Sequence, residues 1–349
     1  MSEQTIDFKS KSLPQELIGI PEEDSNVVSN LLESYKEKYR ACIEPILAKP
    51  ESVDARVRTL ETRLHEVNRK RAEHYGRKYN PSEILYVDRI QAVLQSDSIN
   101  QSLQENGLGS FGRFDANAAT HFEIGNFIVV FVNNFEDRDI DAYDTAKKLR
   151  HEMSHAGSVR KMRGYQVDDV RTSLERYRVG AQLSSMKKGV TLGLVVDEGH
   201  HAIEDLIFDG QHPEYRQVDP FLKEIPTSDE IIPNGRQKYN ALREKLVADG
   251  VVKATEMMMC YWKSEKIDMS GTAGLYSDYS GLMEQIYAGD PDFFLAGSEL
   301  VYADKMLAFA KKVEQTYGKG YFNKLMSLQD RDDTKPLSEE IGKNAQTRA

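Results

Sequence analysis

The segment Leu149-Arg150-His151-Glu152-Met153-Ser154-His155 holds the residues best suited to chemistry. Its two histidines stand four apart, so on a helix they lie about 40° apart around the axis and one turn along it, and both imidazoles can reach one metal ion. Zn2+ suits such a donor pair. Glu152, beside the first histidine, is placed to take a proton from a metal-activated water and later deliver it to a leaving amine. The plain alternative is two half-exposed histidines with a helix-stabilising glutamate.

A catalytic zinc needs a third protein ligand and an open position. The candidates concentrate in Val195-Val196-Asp197-Glu198-Gly199-His200-His201-Ala202-Ile203-Glu204-Asp205-Leu206. Asp197 is suited to cap a helix carrying Glu198 in its first turn. His201 follows Glu198 by three residues on the same helical face, so it competes as third ligand or as an oxyanion donor, while His200 points elsewhere. A ligand from another part of the chain is the remaining option.

HExxH followed by Asp-Glu-Gly resembles the gluzincin group of zinc metallopeptidases, the thermolysin- and aminopeptidase N-like enzymes. These join HExxH to a third-ligand Glu on a following helix, often within Asn-Glu-Gly or Asn-Glu-Ala. The resemblance runs from Tyr143 to Phe208. It implies that His151, His155 and Glu198 hold Zn2+, that Glu152 is the general base, and that the substrate is a peptide or protein. The chain departs from the pattern twice: 42 residues separate His155 from Glu198, a longer gap than in the best-known thermolysin-like enzymes, and Ala202 stands where those enzymes place an orienting Asp. Asp205, two turns after Glu198, is the residue left to orient a ligand. Gluzincins also hydrogen-bond the oxyanion through a Tyr or His; Tyr261, Tyr276, Tyr279, Tyr287 and His201 are candidates among which no spacing rule chooses.

These residues need elements to hold them. Ala142, Ala146 and Leu149 give the HExxH segment helical spacing over Asp141–His155. The apolar run within Asn126–Asn133 reads as a strand beside the zinc, at the edge of a small sheet where an extended peptide can pair. Arg171–Val196 reads as two strands about Met186-Lys187-Lys188-Gly189, and Asp197–Phe208 as a helix. Upstream, Val27, Leu31, Leu32, Tyr35, Tyr39 and Ile43 step along one helix face, with Asp24 or Ser25 as its cap. Val53, Val57, Leu60, Leu64 and Val67 form a narrow seam on a second helix. Its outer face mixes Arg69, Lys70, Arg71, Arg77 and Lys78 with Glu61, Glu66 and Glu73, the mark of a solvated surface.

The fold expected is α+β: a helical N-terminal region, a small mostly antiparallel sheet beside the HExxH helix, and a helical C-terminal half. The divisions are an irregular lead-in (1–24), an N-terminal helical region (25–105), a zincin-like catalytic core (106–235), a C-terminal helical region (236–328) and a flexible tail (329–349). A length of 349 residues suggests about two domain-sized units. The two cysteines, Cys42 and Cys260, exclude a disulfide framework or thiolate metal site. Forty-six basic against 56 acidic side chains leave a charge of −10, a poor match for nucleic acid or anionic lipid. No apolar run approaches the ~20 residues of a membrane span, so a cytoplasmic protein is expected. Zinc-dependent peptide hydrolysis is the favoured activity. A non-catalytic, zinc-stabilised helical interaction protein and a metallohydrolase of a non-peptide amide are the alternatives.

Overall fold

The computed structural model describes residues 22–108, 119–122, 127–166, 172–185, 190–248, 275–328 and 331–346. Helix α1 (Glu22–Ile43) starts before Asp24 and Ser25, so neither caps it. Helix α2 (Ala55–His74) is capped by Asp54, which accepts from the Arg56 N–H. The whole Val53, Val57, Leu60, Leu64 and Val67 seam is buried. On the outer face Arg63 and Lys70 pair with Glu66, and Arg69 pairs with Glu73, but Arg71, expected on that surface, is buried against Glu204 and Asp219.

Among the described residues the first sheet has three strands, β1 (Glu83–Asp88), β2 (Ala119–Phe122) and β3 (Phe127–Val132). Helices α3 (Arg89–Leu94) and α4 (Ser96–Glu105) follow β1. The strand order is β1-β3-β2, with β1 parallel and β2 antiparallel to β3. The strand expected at the edge is therefore the central one, and the edges are β1 and β2. All six β3 side chains are buried because both faces of the strand are covered. Ile128, Val130 and Val132 join the α2 seam, whereas Phe127, Val129 and Phe131 pack with Tyr39, Ile43 and Leu103.

Helix α5 (Arg138–Gly157) carries HExxH, and Asp137 caps it by accepting from the Asp139 and Ile140 N–H groups. A second, wholly antiparallel sheet follows: β4 (Arg160–Gln166), β5 (Thr172–Val179), β6 (Gln182–Ser185) and β7 (Val190–Leu192). Strands β6 and β7 flank the expected turn, which itself lies outside the described residues. The strand signal of Leu194-Val195-Val196 was misleading: these apolar residues open helix α6 (Leu194–Phe208), whose surroundings bury it nearly all round.

Helices α7 (Pro213–Val218), α8 (Ser228–Ile231) and α9 (Gly235–Ala248) are followed by α10 (Leu275–Tyr287), α11 (Pro291–Ala303), α12 (Met306–Tyr317), α13 (Tyr321–Ser327) and α14 (Arg331–Gln346). The expected flexible tail is in large part α14, which buries Leu337 and Ile341 and packs on α10. Its two apolar anchors, four residues apart, are sparse in a polar segment. One hydrophobic cluster draws on α2, β3, α5, α6 and the C-terminal helices, so the middle segments of the chain share a core. The architecture is α+β, with a helical C-terminal half. Among the described residues no helix is long and apolar enough to cross a membrane.

Candidate metal centre

Helices α5 and α6 pack together and bring one ionisable face of each into register. His151 and His155 come from α5, Glu198 from α6. The two Nε2 atoms lie 3.2 Å apart, and Glu198 Oε2 is 3.3 Å from His155 Nε2 and 3.7 Å from His151 Nε2. A circle through these three atoms has a radius of about 2.0 Å, which matches Zn–N and Zn–O bond lengths of about 2.0–2.2 Å. Glu198 Oε2 is buried and accepts no well-formed hydrogen bond, so the donor set contains an oxygen whose needs the protein leaves unmet. Two imidazoles and one carboxylate fit a zinc centre with a position left open.

Behind each imidazole stands a carboxylate. Asp205 Oδ2 lies 2.7 Å from His151 Nδ1, and Asp197 Oδ2 lies 3.5 Å from His155 Nδ1. An acceptor at Nδ1 keeps the proton there and turns the Nε2 lone pair toward the shared point. Asp197 does not cap α6, because the helix starts a turn earlier at Leu194. Its Oδ1 accepts instead from the Ala181 N–H at 2.7 Å, and Oδ2 accepts from Gln182 Nε2 at 3.0 Å. Gly180 makes that turn possible: its φ is +52°, and a Cβ there would sit 2.0 Å from Asp197 Oδ1.

Burial opposes charge on His151, yet Asp205 and Glu198 carry its imidazole up to about 9. Burial likewise opposes charge on His155, but Glu198 and Asp197 hold it well above the usual range. Against the same burial, the two imidazoles hold Glu198 well below its ordinary value, and His151 with Arg150 brings Asp205 to about 2. The surrounding carboxylates thus favour positive charge on both imidazoles, and a cation bound through Nε2 would compete with their protons.

His201 does not join the triangle. Its Nε2 lies 3.3 Å from Ser158 Oγ and its Nδ1 lies 3.3 Å from Glu204 Oε2, with the ring packed edge-on against His155. It groups with His155 and Asp197 in a fully buried second cluster. His200 is a core residue: Nδ1 is 2.7 Å from the Tyr287 hydroxyl, Phe294 stacks on the ring, and burial drives its imidazole down to about 3. Tyr287 is accordingly engaged in the core rather than offered to an oxyanion. Tyr279 is buried where α10 crosses α6. Tyr261 and the side chain of Tyr276 lie outside the described residues.

Glu152 sits between the ligands on α5 and is partly exposed, as are His151 and Glu198, whose side chains are 13% and 17% accessible. His151 and Glu198 are therefore not sealed from solvent. Sequence reasoning missed Arg150, Glu204 and Tyr302, which meet behind the centre across separations of 54 and 98 residues. The one local signal was a basic residue directly preceding His151 on a helix that had to be buried. No known protein family, curated protein or solved structure was found to match the chain.

Proposed function

We propose that the chain is a zinc-dependent hydrolase that cleaves peptide bonds, with His151, His155 and Glu198 as ligands and Glu152 as general base. The observation that carries this reading is the triangle of two Nε2 atoms and one carboxylate oxygen, sized for zinc and oriented by Asp205 and Asp197. Held by His151, His155 and Glu198, a zinc ion would supply Lewis-acid chemistry and a water of pKa near 7. Glu152 would accept that proton at its carboxylate and return it to the departing amine. Strand β2, which among the described residues stands at an edge of its sheet and packs against α5, is where an extended peptide would add as a further strand. That favours peptide over other amides.

A set of three candidate ligands, with Glu152 next to His151 on α5, also favours catalysis over a closed structural zinc site, where four protein ligands are usual. The test is Glu152→Gln in the full chain. Zinc stoichiometry and fold should be retained, while hydrolysis of a mixed peptide library falls at least about 100-fold, the scale of general acid–base catalysis. Full activity in that variant, or zinc loss as complete as in His151→Ala, would contradict the assigned role. Zinc binding by a wild-type chain with no hydrolysis of any amide would favour the interaction protein instead.

A further inference from the structure

Helix α6 places two consecutive carboxylates, Glu204 and Asp205, in the interior, where mutual repulsion and lost hydration disfavour both. One guanidinium bonds to both, while that of Arg71 lies 3.8 Å from Glu204 Oε1. Arg150, fully enclosed, donates from Nη1 to Asp205 Oδ1 at 2.6 Å and to the His201 carbonyl at 3.2 Å, and from Nη2 to Glu204 Oε2 at 2.8 Å. The other oxygen of Asp205 faces His151 Nδ1 at 2.7 Å. Glu204 is fixed in turn by the Tyr302 hydroxyl, which donates to Oε2 at 2.7 Å, and the Arg71 guanidinium covers the Tyr302 ring at 3.8 Å.

We propose that Arg150 is a positioning residue of the metal centre, which locks Asp205 against His151 and ties that ligand to Glu204 and Tyr302. The inference rests on the reading of His151, His155 and Glu198 as ligands. Because the guanidinium is permanently charged and holds one carboxylate oxygen, Asp205 remains an acceptor and leaves the Nδ1 proton on the imidazole. The Nε2 lone pair of His151 then faces the metal in one fixed ring orientation. The planar fork is what reaches Asp205 and Glu204 together, a geometry an ammonium cannot reproduce. An ion pair serving the fold alone would leave the ligand field of the metal untouched.

The experiment uses the full chain as wild type, Arg150→Gln, Arg150→Lys and Asp205→Asn. Zn2+ affinity is read by competition with a chromophoric chelator, and the visible spectrum of the Co2+-substituted protein reports the ligand field. Arg150→Gln and Asp205→Asn should each weaken zinc about 10–100-fold, the range for partners behind a ligand, and alter the Co2+ bands. Arg150→Lys, which keeps the charge without the fork, should fall between Arg150→Gln and wild type. If Arg150→Gln does not fold, Asp205→Asn carries the test alone. Wild-type affinity and an unchanged Co2+ spectrum in whichever of these variants folds would overturn the positioning role while leaving the zinc site intact. Failure of the wild type to bind zinc would instead overturn the proposed function, and this inference with it.

Discussion

Glu198 and His201 sit three residues apart on α6, and only their surroundings separate a ligand from a residue packed behind it. Glu198 Oε2 is buried without a well-formed hydrogen bond and faces both Nε2 atoms, while both His201 nitrogens already lie close to Ser158 and Glu204. Glu198→Ala should therefore weaken zinc binding at least about 100-fold, whereas His201→Ala should retain the metal, since partners outside the ligand set cost less than ligands do. Zinc titration of the two purified variants checks this, and the reverse order would transfer the third-ligand role to His201. His151, His155, Glu152 and Glu198 were legible in the sequence because helical spacing and a motif announce them. Arg150, Glu204 and Tyr302 were not, because a buried charge network joins residues of three helices and has no period along the chain. Asp205 lay between these cases: its two-turn offset from Glu198 placed it on the right face, but its partner became visible only in three dimensions.

At the level of elements, α5 and α6 are held at the centre by features outside it. Gly199 lets α10 approach α6: a Cβ there would lie 2.8 Å from the Tyr279 carbonyl oxygen and 2.6 Å from Met283 Cγ. Gly199→Ala should destabilise the chain by about 1–3 kcal/mol, as overpacking does, measured by denaturant unfolding. At the N-terminal end of α5, burial, with Asp144 nearby, raises the Asp141 carboxyl to about 6. Its folded value lies above the ~3.9 of an unfolded aspartate, so the native state holds the proton more tightly. Its favourable contribution is present below about pH 4 and is lost as pH rises through 6. Asp141→Asn, whose amide oxygen can still accept from the Phe135 N–H, should stabilise the protein by about 1–2 kcal/mol at pH 8 and little at pH 4. Equal thermal shifts at both pH values would contradict this. Helices α2 and α5 were readable because a periodic apolar face is a strong signal. β3 was readable as a strand, but a run buried on both faces does not disclose whether it is central or marginal. β1, β4 and α14 escaped because each is short or largely polar and acquires its partners only through tertiary packing.

In the molecule as a whole, five carboxylates gather around the centre, Asp197, Glu198, Glu204, Asp205 and Asp219, against the guanidiniums of Arg71 and Arg150. That excess of negative charge suits a dication, and in its absence the two raised imidazoles supply the positive charge. The apo chain should consequently stay folded near neutral pH. Chelation should lower Tm by several degrees with the far-UV circular dichroism preserved, since ligand bound at 100 times its Kd contributes only about 2.7 kcal/mol. Loss of all helical signal on chelation would mean that the metal organises the fold. The most direct test of the central claim is zinc K-edge X-ray absorption on the full chain loaded with one equivalent of zinc. The expected spectrum contains two imidazoles and a carboxylate oxygen at about 2.0–2.2 Å with no sulfur, and Glu198→Ala should lose either the carboxylate contribution or the metal itself. A wild-type chain that takes up no zinc, or a spectrum unchanged by Glu198→Ala, would contradict the account.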